Sequence, residues 1–187
     1  MFRVNELFHY HRAGNRHAVF PVYTIHKNKS VSLGLNDLPY CMTTSIHFKV
    51  LNIDNEGFHL LIKVKINGKL AKLIIDTGAS KTVFDKTQIE KFVTERAFDA
   101  HDKMSSGLGT NTMKSQTTLL KKISIGEVEI RDYKAVLLDL SHVNLSYGQI
   151  DLPAVDGVLG SDILLKHKAV IDYEKKTLKL KYLKTKK

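Results

Sequence analysis

Residues 73–80 read Leu-Ile-Ile-Asp-Thr-Gly-Ala-Ser, an apolar run that stops at one acid, one hydroxyl and one glycine. The three large apolar residues from Leu73 to Ile75 predict a strand that is buried on both faces. Such a strand carries the carboxylate of Asp76 out of a core into a turn. It also gives that carboxylate a rigid support, which a catalytic acid requires.

The length and composition predict one globular domain with a small appendage. The chain has 187 residues, of which 43% are hydrophobic, and this is enough for a single core. No run approaches the roughly 20 apolar residues of a membrane span, and the N-terminus lacks the apolar stretch of a secretory signal. The single Cys41 cannot form an internal disulfide, which agrees with a reducing compartment. We therefore predict a cytoplasmic protein.

Residues 1–41 differ from the rest of the chain. They contain four of the nine histidines, only Glu6 and Asp37 as acids, and no sustained periodicity. His9 and His11 suggest a metal site, but no ligand set completes it at a recognisable spacing, so we expect no metal. Met42 precedes the first regular pattern, so translation could also begin there. We place an N-terminal extension at 1–45 and one domain at 46–187.

The net charge of +10 has two interpretations. A basic tail can bind the phosphates of nucleic acid, whereas lysines that alternate with Leu178, Leu180 and Tyr182 are typical of a strand with one solvated face. No aromatic-rich binding pattern accompanies the charge, so we favour the strand and expect no nucleic-acid partner. The lysines concerned are Lys166, Lys168, Lys175, Lys176, Lys179, Lys181, Lys184, Lys186 and Lys187.

Strands dominate the patterns on both sides of the motif. Residues 46–52 predict a short strand, and residues 58–66 alternate strictly between apolar and polar side chains. Asn67-Gly68 supplies the two positive φ angles of a tight hairpin turn, after which Leu70 to Ile75 returns antiparallel. Further strands are predicted at 81–84, 117–125, 128–140, 155–160, 169–173 and 178–183, with a glycine-containing hairpin at 103–116 and a polar loop at 141–149.

Two short helices are predicted between these strands. Asp85 with Gln88 forms a capping-box-like start for the first helix, and Ser161 caps a second one that ends at Leu165. Many short strands with few helices predict an all-β barrel or sandwich.

The motif at residues 76–80, followed about eighty residues later by Val-Asp-Gly-Val-Leu-Gly-Ser-Asp at 155–162, resembles the retropepsin-like aspartic proteases, and their single-domain bacterial branch in particular. The similarity extends over roughly residues 58–182. It implies an all-β, closed-barrel-like acid protease fold with one or two short helices. It also implies an aspartic-type endopeptidase that hydrolyses peptide bonds without a metal or cofactor.

Members of this family use two such aspartates in each active site, and this chain offers only Asp76. The resemblance therefore implies a homodimer in which two copies of Asp76 meet on the symmetry axis. Two carboxylates that lie about 3 Å apart cannot both ionise easily, so one acts as base toward a water and the other as acid. By resemblance, Thr77 bonds across the dimer axis, and Gly78 lets backbone amides approach the carboxylates.

Three further features follow from the resemblance. A Ser in place of Ala79 would stabilise the carboxylate anion, so its absence predicts an activity optimum nearer to neutral pH than that of pepsin-like relatives. The flap that covers a peptide substrate is expected at Ser106, Gly107, Leu108, Gly109 and Thr110, and a structural loop under the site at Asp156, Gly157 and Gly160.

Other functions remain open at this stage. The same fold could serve as a catalytically silent module for dimerisation or peptide binding, because fold does not fix function. The terminal strand at 178–183 is a candidate dimer interface. A basic nucleic-acid-binding protein is a third possibility that depends on charge alone.

Overall fold

The computed structural model describes residues 6–7, 22–23, 40–93, 98–107 and 110–184, and for residues 6–7, 22–23, 98–107 and 110–115 it describes the backbone alone. The chain divides into a unit of Met1–Leu38 with Lys186–Lys187 and a unit of Pro39–Thr185. In the first unit, β1 (Glu6–Leu7) and β2 (Val22–Tyr23) pair antiparallel. His9, His11 and most of the predicted extension lie outside the described residues.

An antiparallel meander leads to Asp76. β3 (Tyr40–Ile53) pairs with β4 (Gly57–Ile66), which pairs with β5 (Lys69–Ile75). The predicted turn at Asn67-Gly68 is confirmed by φ angles of 49° and 86°. β3 begins at Tyr40 rather than at Ile46, because residues 40–47 pair with the C-terminal strand although the polar residues 43–45 hide the alternation.

The remaining elements are mostly short. Two helices, α1 (Ser141–Gln149) and α2 (Ser161–Lys166), and a 3-10 turn at Ile89–Lys91 are the helical elements of the described residues. In the described part of the chain, neither helix has the length and apolar character that crossing a membrane demands. The strands are β6 (Val83–Asp85), β7 (Phe98–Gly107), β8 (Thr110–Ile125), β9 (Val128–Leu138), β10 (Gly157–Leu159), β11 (Val170–Asp172) and β12 (Thr177–Lys184).

Six strands close into a barrel. β4, β5, β10, β6, β9 and β8 are hydrogen-bonded in that order, and β8 returns to β4 through the pairs Lys65 with Ser124 and Ile66 with Ile123. The barrel is mixed, because β10 runs parallel to β5 and β9 runs parallel to β6. β3, β12 and β11 extend the sheet from β4, and β7 extends it from β8. The predicted all-β, closed-barrel-like fold with short helices is confirmed.

The core lies on both faces of the central strands. Ile62, Val64 and Ile66 of β4 are at most 2% exposed and pack in the main cluster, where Leu73 and Ile75 of β5 join them. A second cluster on the opposite face contains Leu51, Leu61, Ile74, Tyr147 and Val155. The prediction that residues 73–75 are buried on both faces is confirmed.

The lysine-rich C-terminal segment forms β12. Leu178 and Leu180 are fully buried and Lys181 is exposed, which confirms the strand with one solvated face. β12 lies between β11 and β3 of the same chain. Along residues 177–184, one edge of this candidate interface strand is therefore already paired with β3.

The prediction of a polar loop at 141–149 is wrong, because these residues form α1. Their sequence has no apolar periodicity that would indicate a helix. Tertiary contacts stabilise the helix instead. Tyr147 is buried, and the Asn144 side chain donates to Asp85 Oδ2 at 3.1 Å and to the Val155 carbonyl at 3.1 Å, and accepts from the Val155 N–H at 2.8 Å.

Both predicted helix caps are also wrong. Asp85 ends β6, and its carboxylate accepts from the N–H and the hydroxyl of Thr87, each at 3.0 Å, so it stabilises a turn. Only the 3-10 turn at Ile89–Lys91 follows it. Ser161 is the first residue of α2 and Gly160 occupies the N-cap, which leaves the Ser161 hydroxyl available for a contact elsewhere.

Candidate active site

β5 delivers Asp76 to an exposed position. The Asp76 N–H donates to the Leu159 carbonyl at 3.1 Å, so the pairing with β10 continues up to the acid. Carboxylate Oδ1 accepts from the N–H of Gly78 at 2.8 Å and from that of Ala79 at 3.3 Å. Among the described residues no group donates to Oδ2. The carboxylate is thus oriented by the backbone through one oxygen and presents the other to solvent.

The first residue of α2 holds the loop that follows Asp76. The Ser161 hydroxyl donates to the Thr77 carbonyl at 2.8 Å, and the Ser161 N–H donates to the Ala79 carbonyl at 2.7 Å. The exposed loop is therefore hydrogen-bonded to Ser161 on both sides of Gly78, although Ser161 lies 84 positions after Thr77 in the chain.

Behind this contact lies a network around the Asp162 carboxylate. Oδ1 accepts from the N–H of Thr82 at 2.9 Å and from its hydroxyl at 2.8 Å, and Oδ2 accepts from the Tyr133 hydroxyl at 2.7 Å. The Thr82 hydroxyl in turn accepts from the Gly160 N–H at 2.9 Å. Burial, together with the hydrogen bond to Asp162, raises the pKa of Tyr133, so this phenol stays protonated and remains a donor.

The glycines predicted to lie under the site pack against backbone. A Cβ at Gly157 would lie 2.3 Å from the Val83 carbonyl oxygen, and one at Gly160 would lie 2.5 Å from the carbonyl group of Lys81. Only glycine fits at such distances. These contacts bring β10 against β6, and the start of α2 against the residues that precede β6.

Asp156, the third residue predicted under the site, connects two strands. Its Oδ2 accepts from the Lys72 N–H and its own N–H donates to the Lys72 carbonyl, both at 2.8 Å. Its carbonyl accepts from the Asp85 N–H at 2.9 Å. β5, which carries Asp76, is thereby clamped to β6 before β10 begins.

Comparison with known proteins identifies the class of this site. A family model described as aspartyl protease matches residues 62–163, more than half of the chain, and this match includes the Asp76 loop and the glycines behind it. The chain belongs to the aspartyl protease family. The resemblance seen in the sequence is confirmed at this level.

Two curated proteins are similar to this aspartyl protease. DNA damage-inducible protein 1 of Candida glabrata is 26% identical over 132 residues, which cover 68% of this chain and 26% of that protein. Protein DNA-DAMAGE INDUCIBLE 1 of Arabidopsis thaliana is 26% identical over 128 residues, which cover 66% of this chain and 28% of that protein. The chain therefore spans about a quarter of the length of these relatives.

Two solved structures are also similar. A retropepsin-like aspartic protease from Rickettsia conorii has 21% sequence identity and a TM-score of 0.48, with coverage of 79% of this chain and 96% of that chain. The retroviral protease-like domain of Ddi1 from Leishmania major has 18% identity and a TM-score of 0.46, with coverage of 65% and 87%.

The segment predicted as the flap of this aspartyl protease falls in a hairpin. β7 and β8 pair antiparallel, with Gly107 opposite Thr110 and Ser105 opposite Met113. Leu108 and Gly109 lie outside the described residues. The role of Ser106, Gly107 and Thr110 in binding substrate stays a prediction.

Beside Asp76 the aspartyl protease has a cleft of about 400 Å³ that sequence reasoning missed. The Tyr147 hydroxyl and His59 Nδ1 form a hydrogen bond in its wall, although 88 positions separate them. No local pattern in the sequence predicts this contact, because the sequence does not indicate helix α1. Its lining is Phe58, His59, Leu60, Ile74, Ile75, Asp76, Thr77, Leu140, Val143, Tyr147, Val155, Val158, Ile171 and Tyr173.

Thr77 also lines a second depression, of about 450 Å³. Leu165 of α2 is 80% exposed there, and Ser161, Leu164 and Ile171 also line the depression. The protease therefore presents apolar surface directly next to its single Asp-Thr-Gly loop.

Proposed function

We propose that this chain is an aspartic-type endopeptidase that acts as a homodimer, with one Asp76 from each copy. The observation that carries the proposal is the exposed Asp76 carboxylate, which two backbone N–H groups orient while its second oxygen points to solvent. Because the chain belongs to the aspartyl protease family, we interpret this carboxylate as the catalytic acid or base.

The proposed reaction is hydrolysis of a peptide bond by general acid–base catalysis. One Asp76 of the pair is ionised and takes a proton from a bound water, whose oxygen attacks the peptide carbonyl carbon. The neutral Asp76 of the other copy donates its proton to the carbonyl oxygen. The resulting tetrahedral intermediate collapses when the first Asp76 donates the proton it took from water to the nitrogen and the C–N bond breaks, while the second Asp76 recovers a proton from a hydroxyl of the intermediate. No covalent enzyme intermediate forms.

One observation from the sequence and one from the surface support the need for a second copy. The chain contains one Asp-Thr-Gly, and a single carboxylate cannot act as base and acid at once. The exposed apolar Leu165 beside Thr77 supplies surface that a second copy would bury. Two-fold symmetry then brings the same loop of each copy together.

The hairpin of β7 and β8 is the proposed flap, formed around Ser106, Gly107, Leu108, Gly109 and Thr110. In this proposal it closes over an extended peptide and hydrogen-bonds to the peptide backbone. Peptides or proteins are therefore the proposed substrates.

Cleavage of a diverse peptide library tests the proposal. We expect wild-type protein to cut peptides and Asp76→Asn to lose at least about 10²- to 10⁴-fold in rate while it keeps the dimer, because the general base and acid are gone. Asp54→Asn, an exposed turn acid with φ of 48°, is the matched control and should keep full activity. A wild type that cuts no peptide but binds some would instead indicate the silent peptide-binding module.

A further inference from the structure

We propose that the outer face of the β4–β5 hairpin is an exosite that binds an acidic segment of a protein substrate. This inference rests on the proposed function, because it assigns the acidic segment to the protein that is cut. The exosite, called the basic patch below, consists of Lys63, Lys65, Lys69, Lys72 and Lys91.

The lysines of the two strands share the face that points away from the main core. On β4, the apolar residues that alternate with Lys63 and Lys65 are buried in that core, so both lysines point outward. On β5, the half-buried Lys72 lies between the fully buried Ala71 and Leu73. Lys72 therefore lies on the same outer face as the two lysines of β4.

The positive charge of this face is not neutralised. Lys63 lies directly opposite Lys72, and like charges in such a position repel each other and destabilise a sheet. Among the described residues, Lys63, Lys65 and Lys72 form no ion pair, whereas Lys86 and Lys122 each do. The hairpin thus maintains a repulsive arrangement that a bound anion would relieve.

A depression of about 390 Å³ adjoins the hairpin and concentrates the charge. Lys69, Lys72 and Lys91 line it together with the acid Asp156. Asp156 Oδ1 lies 3.8 Å from Lys91 Nζ, and its Oδ2 accepts from the backbone N–H of Lys72. Lys69 Nζ donates to the Lys91 carbonyl at 2.6 Å, which fixes its position without neutralising its charge. Three ammonium groups against one carboxylate leave the depression positive.

The charge of the chain argues against its own segments as the occupant. Residues 1–38 contain five Lys or Arg residues and two acids, and the whole chain has a net charge of +10. Neither this N-terminal segment nor a second copy therefore supplies the negative charge that the patch requires. The occupant is a different and acidic molecule.

The chemistry of the patch favours an acidic polypeptide over nucleic acid. Lys63 and Lys65 are two residues apart on a strand, and this spacing of about 6.8 Å is also that of alternate side chains in an extended peptide. Leu70, opposite Lys65, is 58% exposed and offers an apolar contact. The described residues of the patch and the depression include no arginine, and the ring of Phe92 is buried, so bidentate phosphate contacts and base stacking are missing.

The patch and the Asp76 loop lie at opposite ends of β5. Lys69 begins the strand and Asp76 follows its end, seven residues later, which corresponds to about 23 Å along a strand. A substrate that occupies both places therefore needs at least about seven residues between its acidic segment and its scissile bond. At this distance the patch captures substrate and takes no part in the chemistry.

Binding of a labelled peptide to Asp76→Asn protein tests the patch without cleavage. The probe is Glu-Gly-Glu-Leu-Glu-Gly-Glu, compared with the same peptide carrying Gln for Glu and with a single-stranded oligonucleotide of equal charge. We expect the acidic peptide to bind, the Gln peptide not to bind, and the affinity to fall as salt is added. Tighter binding of the oligonucleotide than of the acidic peptide would overturn the proposal.

Two double variants locate the binding. Lys63→Gln with Lys72→Gln should weaken binding of the acidic peptide about fivefold or more, since two ion pairs are lost. Lys175→Gln with Lys181→Gln removes the same charge at exposed positions outside the patch and should bind as before. An equal loss of affinity in both double variants would show attraction by net charge alone and would overturn the exosite.

Unfolding tests whether the patch has a cost in stability. Lys63→Gln should shift the midpoint of urea unfolding upward, because it removes the repulsion with Lys72. Lys181→Gln, at an exposed position of β12, should leave the midpoint unchanged. A lower midpoint in Lys63→Gln would show that the lysine pair stabilises the fold and would contradict the proposal.

Cleavage kinetics separate this inference from the proposed function. A peptide whose acidic segment lies beyond the seven-residue distance from its scissile bond should show a lower KM than its Gln analogue, with the same kcat. Lys63→Gln with Lys72→Gln should remove the difference, and equal KM values in wild-type protein would overturn the exosite. If wild-type protein cut no peptide, the proposed endopeptidase would fail, yet binding to Asp76→Asn protein would still decide whether the patch binds acidic peptides.

Discussion

The orientation of one carboxylate depends on residues that are distant in the chain. Asp76 is held by the neighbouring amides, but the loop that supplies those amides is tied to Ser161, and the next residues, Gly160 and Asp162, are tied to Thr82. Each contact is an ordinary hydrogen bond that contributes about 1 kcal/mol. Their combined effect is geometric, because together they tie the loop to the start of α2 and to Thr82.

Gly160 is a residue at which this geometry leaves no room for a side chain. A Cβ would meet the backbone of Lys81 at 2.5 Å, while φ at Gly160 is an ordinary −98°. Gly160→Ala should therefore lower the free energy of unfolding by roughly 1–3 kcal/mol through overpacking. The measurement is urea unfolding.

Gly148→Ala in α1 is the control for that substitution. No atom lies within 4 Å of a Cβ placed there, so the same change should raise stability by about 0.4–1 kcal/mol. Equal effects of the two substitutions would contradict the close approach at Gly160.

The candidate site residues that the sequence suggested, apart from the flap, lie in two short contiguous motifs. Asp76, Thr77 and Gly78 form a contiguous motif, and Gly157 and Gly160 belong to a second one. The roles of Thr82, Tyr133 and Asp162 could not be predicted, because their contacts join segments that only the fold brings together.

Among the elements, α1 connects the fold with the candidate site. It lacks apolar periodicity, and tertiary hydrogen bonds through Asn144 and the buried ring of Tyr147 take the place of an amphipathic face. The strands were predictable for the opposite reason. Alternation in β4 and the Asn67-Gly68 turn are local features that the sequence itself shows.

Asn144→Ala tests how α1 is held. The substitution leaves the Val155 N–H without its acceptor and removes a donor from Asp85, which should cost roughly 1–3 kcal/mol in the free energy of unfolding. The rate of peptide cleavage should fall together with the stability, since α1 forms a wall of the cleft. Urea unfolding and peptide cleavage are the measurements.

Ser146→Ala, at an exposed position of the same helix, should change stability by less than about 0.5 kcal/mol. If Asn144→Ala changed the free energy of unfolding equally little, the hydrogen bonds of the Asn144 side chain would not be what stabilises the helix.

At the scale of the whole molecule, the number of short strands predicted an all-β barrel or sandwich, and the family resemblance implied the closed barrel. The extension of the barrel by β3, β12 and β11 was not predicted. β3 and β12 pair although they lie far apart in the chain. Residues 43–45 do not alternate between apolar and polar side chains, so the sequence does not indicate this part of β3. The homodimer stays a prediction, supported by the single Asp-Thr-Gly and by the apolar surface around Leu165.

Leu165→Asp tests the proposed dimer. Each copy would lose burial of one leucine, worth roughly 1.5–3 kcal/mol, so dimerisation should weaken about 10²-fold or more and cleavage should disappear at dilute protein. Native mass measurement and peptide cleavage read out the two effects. Leu145→Asp, at a 66% exposed leucine on α1, should stay dimeric. A dimeric and active Leu165→Asp would place the interface elsewhere.

The pairing of β3 with β12 has a consequence for how this domain can be connected to other polypeptide. Tyr40 lies opposite Lys184 on neighbouring antiparallel strands, and Cα atoms paired in this way are about 4.5–5.5 Å apart. The backbone thus comes into the domain and leaves it at nearly the same point. A domain with that geometry can be inserted into a surface loop of a host protein, or circularly permuted through a short linker, without stretching the barrel.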